Sequence, residues 1–305
     1  MNCELETDRI IEAIKKEWLT VAVKRDEPLR NHTTFKVGGA VRLMCFPENV
    51  KCAARLFELL CENGEVPYIL GNGSNILADD KDHDIAVINT SKLRNIALTD
   101  TVITADSGVL LSEIAFFAYK HGLTGLEFAH GIPGSLGGAI VMNAGAYDGE
   151  MKDVVRATNI YNTTAGVTTI RDEEHAFSYR NSIFTNNNDI ILSSELRLKK
   201  GDADVIKQKM DEFANRRATS QPLDKPSAGS IFKRPKDNYA AVLIEQAGLK
   251  GFATGGAQVS EKHAGFVINT GNATFCDIMA VIEYVQETVE KQCGVKLEME
   301  VSIWK

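Results

Sequence analysis

No apolar run in the 305 residues approaches the roughly 18 that a membrane-spanning helix needs. The opening stretch "MNCELETDRIIEAIKKEW" is charged and reads as an amphipathic helix, not as a secretory signal, so a cytoplasmic protein without membrane attachment is expected. The Gly-Lys dipeptide is absent, which excludes a P-loop. Cys3, Cys45, Cys52, Cys61, Cys276 and Cys293 show neither C-x-x-C spacing nor a nearby His pair, and read as reduced, mostly buried apolar side chains. His32, His83, His121, His130, His175 and His263 are scattered singly, so no metal site is expected. Positive charge is in short supply: 34 Lys and Arg face 41 Asp and Glu, a net charge of −7. That balance argues against a nucleic-acid-coating surface, and any anionic ligand must be held by a few local groups. Neither an internal repeat nor a low-complexity segment occurs.

With 44% hydrophobic and 25% charged residues, what is present is an ordinary globular chain, long enough for two or three domains. In the first third, "VRLMCF" (41–46) reads as a strand, residues 48–64 as a helix closed by Gly64, and "VPYIL" (66–70) as a strand, the alternation of an α/β layer. Strands are expected at 85–90, 101–108, 154–162 and 189–200, with a helix at 111–122. A polar helix follows Gly201, and a proline-punctuated loop at 221–235 marks a boundary. Beyond it come a short helix, a strand at 263–270, a long helix at 274–294 and a last strand at 295–304.

Against that background, "GIPGSLGGAIVMNAG" (131–145) packs five glycines into fifteen positions. Glycine serves positive φ and close approach of the main chain to another body. Two readings stand: a tight turn between core strands, or a loop whose amides, with the Ser135 hydroxyl, cradle phosphate oxygens. "GNGSN" (71–75) is a second such turn. It matches a dinucleotide fingerprint only in its first three residues, because Ile76 stands where G-x-G-x-x-G needs glycine, so a Rossmann fold is not expected. In the last strand Leu297, Met299, Val301 and Ile303 alternate with Glu298, Glu300 and Ser302, which puts both carboxylates on one face, either solvated or lining a cleft.

"HTTFKVGG" (32–39), "LGNGSN" (70–75), "FAHGIPGSLGGAIVMNAGAYDGE" (128–150), "YRNSIF" (179–184), "SAGSIFKRP" (227–235), "AGLKGFATGGAQVSEKHAGFVIN" (247–269) and "LEMEV" (297–301) occur in the order found in the UDP-N-acetylenolpyruvoylglucosamine reductase family. The chain resembles that family from about residue 28 to its end. "GIPGSLGG" alone is shared with the wider vanillyl-alcohol-oxidase-like flavoproteins, so another FAD-dependent oxidase or dehydrogenase of that superfamily is the alternative. The resemblance implies an α+β fold: two FAD-binding subdomains, 1–85 and 86–200, of the vanillyl-alcohol-oxidase/PCMH type, and a substrate-binding domain, 201–305.

It also implies non-covalent FAD wrapped by Gly71, Asn72, Gly73, Ser74, Asn75, Gly131, Gly134, Ser135, Gly137, Gly138, Asn143 and Gly145. NADPH would be co-substrate in peptidoglycan precursor synthesis. Hydride would reach C3 of the enolpyruvyl ether of UDP-N-acetylglucosamine. Ser230 would protonate C2, while Arg180 and Glu300 stabilise the enolic charge. Arg217, Arg234 and Lys250 are candidate diphosphate partners, and no obligatory protein partner is expected. Two departures stand out: Met299 occupies a position that is usually proline, and residues 199–217 contain no tyrosine, as in the branch lacking a tyrosine-bearing substrate loop.

Overall fold

A computed structural model describes residues 2–17 and 19–305, excluding the side chains of residues 2–4. The chain divides into two compact units. One comprises residues up to Glu27, Val41–Asn72 and Asp84–Asn215; the other comprises Pro28–Ala40, Gly73–His83 and Arg216–Lys305.

In the first unit, helices Asn2–Lys16 and Val50–Glu62 contribute to a core with Leu43, Cys45, Ile88 and Leu93. The second of these helices starts where expected because Asn49 accepts a hydrogen bond from the Cys52 amide at 2.9 Å, which satisfies one orphan donor of the first turn. It stops where Gly64 takes φ +85° and donates to the Cys61 carbonyl at 3.0 Å. Strand Tyr68–Leu70 pairs in parallel with His83–Asn89. A second, five-stranded sheet is antiparallel throughout, in the order Gly166–Arg171, Val155–Asn162, Ile190–Arg197, Val102–Asp106, Ile96–Thr99. Helix Leu111–Lys120 buries Leu111, Ile114, Ala115 and Ala118, the i, i+3, i+4, i+7 stripe, in the same core as the glycine-rich segment's Leu136, Ala139 and Ile140.

The second unit is built around helix Phe275–Cys293, which buries Phe275, Ile278, Val281, Ile282, Val285 and Val289. Thr274 Oγ1 accepts from the Asp277 amide and the Asp277 carboxylate accepts from the Thr274 amide, at 3.1 and 3.0 Å. These bonds, with another from the Gly256 amide, hold the Asp277 carboxyl below the usual carboxylate range. Gly294, at φ +68°, ends the helix. The antiparallel strands Ala253–Thr254, Ala257–Val259 and Val267–Asn269, the short helix Ala240–Gln246, and Phe35, Val37 and Leu77 complete this unit.

Two expectations need correction. The last strand is regular only over Ser302–Trp304, paired in parallel with Ile76–Ala78. Before it the chain runs as single bridges, because its partners are loop residues: Lys233 N to Glu298 O (2.8 Å), Glu300 N to Ile231 O (2.7 Å) and Ser302 N to Asn75 O (2.9 Å). Leu297 and Val301 are buried as the alternation requires, but the carboxylates part company. Glu298 is exposed beside Lys233, and Glu300 is half-buried. Among the described cysteines only Cys45 is fully buried, its thiol pushed up to about 12 by burial; Cys276 is exposed.

Candidate active site

In the first unit the glycine-rich segment leaves a 3-10 turn, Glu127–Ala129, and enters the short helix Leu136–Val141. Leu111 N donates to Gly134 O at 3.0 Å, Leu136 N to Val109 O at 2.9 Å and Gly137 N to Ser107 O at 2.8 Å. The fold therefore consumes two of the amides expected to cradle a ligand. Gly138 is different. It is exposed in an otherwise buried run from Gly134 to Ile140, and a Cβ added there would meet only Ser135 Oγ, at 3.7 Å. At Gly137 an added Cβ would lie 3.0 Å from Ser107 Cβ, so that glycine serves packing. Gly71 allows close approach to Ser135, whose Oγ a Cβ at residue 71 would collide with, and the Asn72 side-chain amide donates to the Pro133 carbonyl.

The hydroxyls of Ser135 and Ser107 are buried without a hydrogen-bond partner among the described residues. Leaving a buried donor unsatisfied costs on the order of 1–3 kcal/mol, so both are poised for an acceptor that the protein does not supply. Ser107 was missed in sequence; "ADSG", a small polar pair ahead of a helix, was its only signal.

Asn143 has φ +40° and is fully buried, and its side chain is committed inside the fold. Oδ1 accepts from the Lys152 amide at 2.9 Å, and Nδ2 donates to Glu150 Oε2 at 2.7 Å and Ser178 O at 3.0 Å. Arg180 sits at φ +52°, uncommon for a residue with a side chain, in a turn closed by Ser178 N to Asn181 O at 3.0 Å and Asn181 N to Ser178 O at 3.2 Å. Its Nη2 donates to the Gly145 carbonyl at 3.2 Å, and its guanidinium lies 5.1 Å from the Tyr179 ring centroid. Beneath this segment His175 is buried between Asp172 O and Thr158 Oγ1, at 2.9 and 2.8 Å, and stacks on Phe177. Burial pushes its imidazole below the ordinary value.

In the second unit, Gly229 at φ +75° turns the chain into Ser230, which bridges Phe266. Ala228, Ile231 and Phe232 anchor the segment in the core, leaving Ser230 half-buried. The Glu300 amide bonds to Ile231 O, so Ser230 and Glu300 lie on adjacent backbone tracks. Asn75 Nδ2 donates to the Glu300 carbonyl at 3.1 Å, and Gly73, at φ +62°, accepts the Thr34 amide at 3.1 Å. Thr34 Oγ1 also donates to Ser227 O at 2.7 Å. Thr34 thus ties the 71–75 turn to the serine loop, a role that "HTTF" did not announce. The turn itself crosses units: Gly71 and Asn72 belong to the first, Gly73, Ser74 and Asn75 to the second. Arg234 stacks on Tyr239 at 4.0 Å. Lys250 is paired with Glu245 at 2.6 Å, and Arg217 is half-buried in the last turn of helix Ala203–Ser220.

An FAD binding domain model matches residues 41–171. The fold is shared with alkyldihydroxyacetonephosphate synthase at 16% identity and a TM-score of 0.52, over 63% of this chain and 40% of that one. The chain is therefore a flavoprotein-type α+β protein, and the two orphaned hydroxyls beside a glycine loop fit such a group. Residues 221–304 match the C-terminal domain of UDP-N-acetylenolpyruvoylglucosamine reductase. Proteins of that name from Caldanaerobacter subterraneus subsp. tengcongensis (46% identity, 98% of each chain) and Thermotoga petrophila (45%, over 91% of this chain and 97% of that one) are similar along nearly their whole length. The crystal structure of UDP-N-acetylenolpyruvylglucosamine reductase from Thermus caldophilus superposes with a TM-score of 0.81 at 31% identity, covering 94% of this chain and 100% of that one. The chain belongs to the UDP-N-acetylenolpyruvoylglucosamine reductase family. No helix among the described residues is long and apolar enough to cross a membrane.

Proposed function

We propose that this chain reduces the enolpyruvyl ether of UDP-N-acetylglucosamine to UDP-N-acetylmuramate with NADPH, through non-covalent FAD, in the cytoplasmic synthesis of peptidoglycan precursors. Bound FAD supplies the relay that accepts hydride from NADPH and delivers it to carbon. Ser107 and Ser135, whose hydroxyls have no hydrogen-bond partner among the described residues, would hold its polar groups, and the exposed main chain at Gly138 would lie against it. Residues 1–85 and 86–200 are its binding subdomains, and 201–305 receives the UDP-sugar.

Hydride arriving at C3 leaves negative charge at C2, delocalised into the adjacent carboxylate. The Arg180 guanidinium, always charged, neutralises that charge on the carboxylate side. Ser230 Oγ delivers the proton to C2, with Glu300 alongside to orient the hydroxyl and stabilise the enolic form. Arg217, Arg234, whose guanidinium carbon lies 4.0 Å from the Tyr239 ring centroid, and Lys250, which pairs with Glu245, are the diphosphate candidates.

The observation that carries the reading is that the Glu300 amide bonds to the carbonyl of Ile231, the residue after Ser230, which brings together two backbone segments about seventy positions apart in sequence. Ser230→Ala tests it. Anaerobic bleaching of the flavin by NADPH is expected to stay near wild type, while reoxidation by the enolpyruvyl substrate slows about 10²–10⁴-fold, the range for losing a positioned general acid. Equal slowing of both halves, or of neither, would remove Ser230 from the chemistry.

A further inference from the structure

The buried amide of Asn143 joins two segments far apart in sequence: the glycine-rich segment and the turn bearing Arg180. Its Nδ2 reaches the Ser178 carbonyl, which opens that turn, while Gly145, two residues further along, accepts from the Arg180 guanidinium. Ser182 Oγ fastens the other side of the turn to the Val141 carbonyl at 2.8 Å. Arg180 thus stands in a left-handed conformation between two ties to one short stretch, 141–145. Asn143 is itself held by Glu150 and the Lys152 amide as well as by Ser178. A single side chain that supplies both donors and an acceptor at φ +40° is a demanding requirement. Asn tolerates left-handed backbone better than most residues and carries both functions in one planar group.

We propose that Asn143 is a positioning residue that fixes the Arg180 guanidinium relative to the glycine-rich segment, so that Arg180 meets the substrate carboxylate in one orientation. It acts through Arg180 and touches neither substrate nor cofactor. The inference rests on the role given to Arg180 above.

Asn143→Gly keeps the positive φ accessible and removes the tie; Asn143→Asp keeps the size but turns an acceptor toward Glu150 and the Ser178 carbonyl. Both are compared with Arg180→Ala and with the Asn143→Gly/Arg180→Ala double variant in the FAD-loaded enzyme, by stopped-flow flavin absorbance. Flavin content and thermal midpoint are measured in parallel. Misplacing a catalytic group by an ångström costs on the order of 10²-fold, so reoxidation by the enolpyruvyl substrate is expected to slow by about that factor in each Asn143 variant. Flavin content and reduction by NADPH should hold near wild type, and Asn143→Gly should cost nothing further once Arg180 is absent. If Asn143→Gly does not fold, Asn143→Asp carries the comparison. Three results overturn the proposal: unchanged reoxidation in the Asn143 variants while Arg180→Ala is slow, the same loss with and without Arg180, or parallel loss of both half-reactions with flavin content. Normal reoxidation in Arg180→Ala would instead overturn the assignment of Arg180 itself, and the positioning role with it.

Discussion

Replacing Gly138 with alanine separates two explanations for a glycine, because they call for opposite signs. Within the protein an added Cβ meets nothing closer than Ser135 Oγ at 3.7 Å, an ordinary contact, and the residue lies inside helix Leu136–Val141 on its exposed side. Glycine in a helix interior costs roughly 0.5–1 kcal/mol relative to alanine. The flavin-free variant is therefore expected to be more stable, with a thermal midpoint raised on the order of 2 °C. If the open main chain at Gly138 is where FAD approaches, the same methyl overfills a packed contact at about 1–3 kcal/mol, which raises the FAD dissociation constant about 5- to 150-fold. Gly137→Ala serves as the contrast, since its Cβ would lie 3.0 Å from Ser107 Cβ and should destabilise the flavin-free protein. Differential scanning calorimetry of the flavin-free protein and fluorescence titration with FAD read the two quantities separately. Unchanged FAD affinity in a stabilised Gly138→Ala variant would refute the reasoning and leave the segment as a turn.

Three further outcomes follow from particular contacts. His175 and His263 are both held below the ordinary histidine value by burial. Protonation therefore favours the unfolded chain: the stability due to their neutral forms is complete above about pH 6.5 and is lost as pH falls below it. The urea midpoint should drop between pH 7 and 5, and His175→Gln should show a shallower drop; an unchanged slope would count against burial as the cause. Thr274→Ala, which deletes the cap on the Asp277 amide, should lower stability by about 1 kcal/mol in a denaturant titration, with FAD affinity unchanged. Acid precipitation of FAD-loaded protein should release the flavin into the supernatant, and colour retained in the pellet would contradict non-covalent binding.

Most of the elements were legible because their signals are local. Asn49, Gly64, Thr274 and Gly294 punctuate their helices by satisfying backbone groups within four residues, and the buried stripe of 275–289 follows the helical period. What escaped depends on partners far away in sequence. The alternation at 297–303 buries Leu297 and Val301 as read, but whether Glu298 or Glu300 meets solvent is decided by loops at 231–233 and at Asn75. Asn143 stands inside a glycine-rich motif, and in sequence it reads as part of the cofactor loop. Its committed bonds run to Glu150, Lys152 and Ser178, which no spacing rule points to. The 71–75 turn reads as one motif, yet its residues divide between two compact units. Ser230 and Glu300 were found through family resemblance, because a serine after glycine and a glutamate in an alternating strand have no intrinsic signature of catalysis.

One chain is proposed to carry hydride from NADPH to an enolpyruvyl ether. The most direct test is to reduce the FAD-loaded protein anaerobically with one equivalent of NADPH, add the enolpyruvyl ether of UDP-N-acetylglucosamine, and follow the flavin spectrum while identifying the product by mass spectrometry. Expected are bleaching by NADPH, return of the oxidised spectrum only on addition of the enolpyruvyl substrate, and a product two hydrogens heavier than that substrate. Flavin that reoxidises only when air is admitted, with the enolpyruvyl ether recovered unchanged, would contradict it.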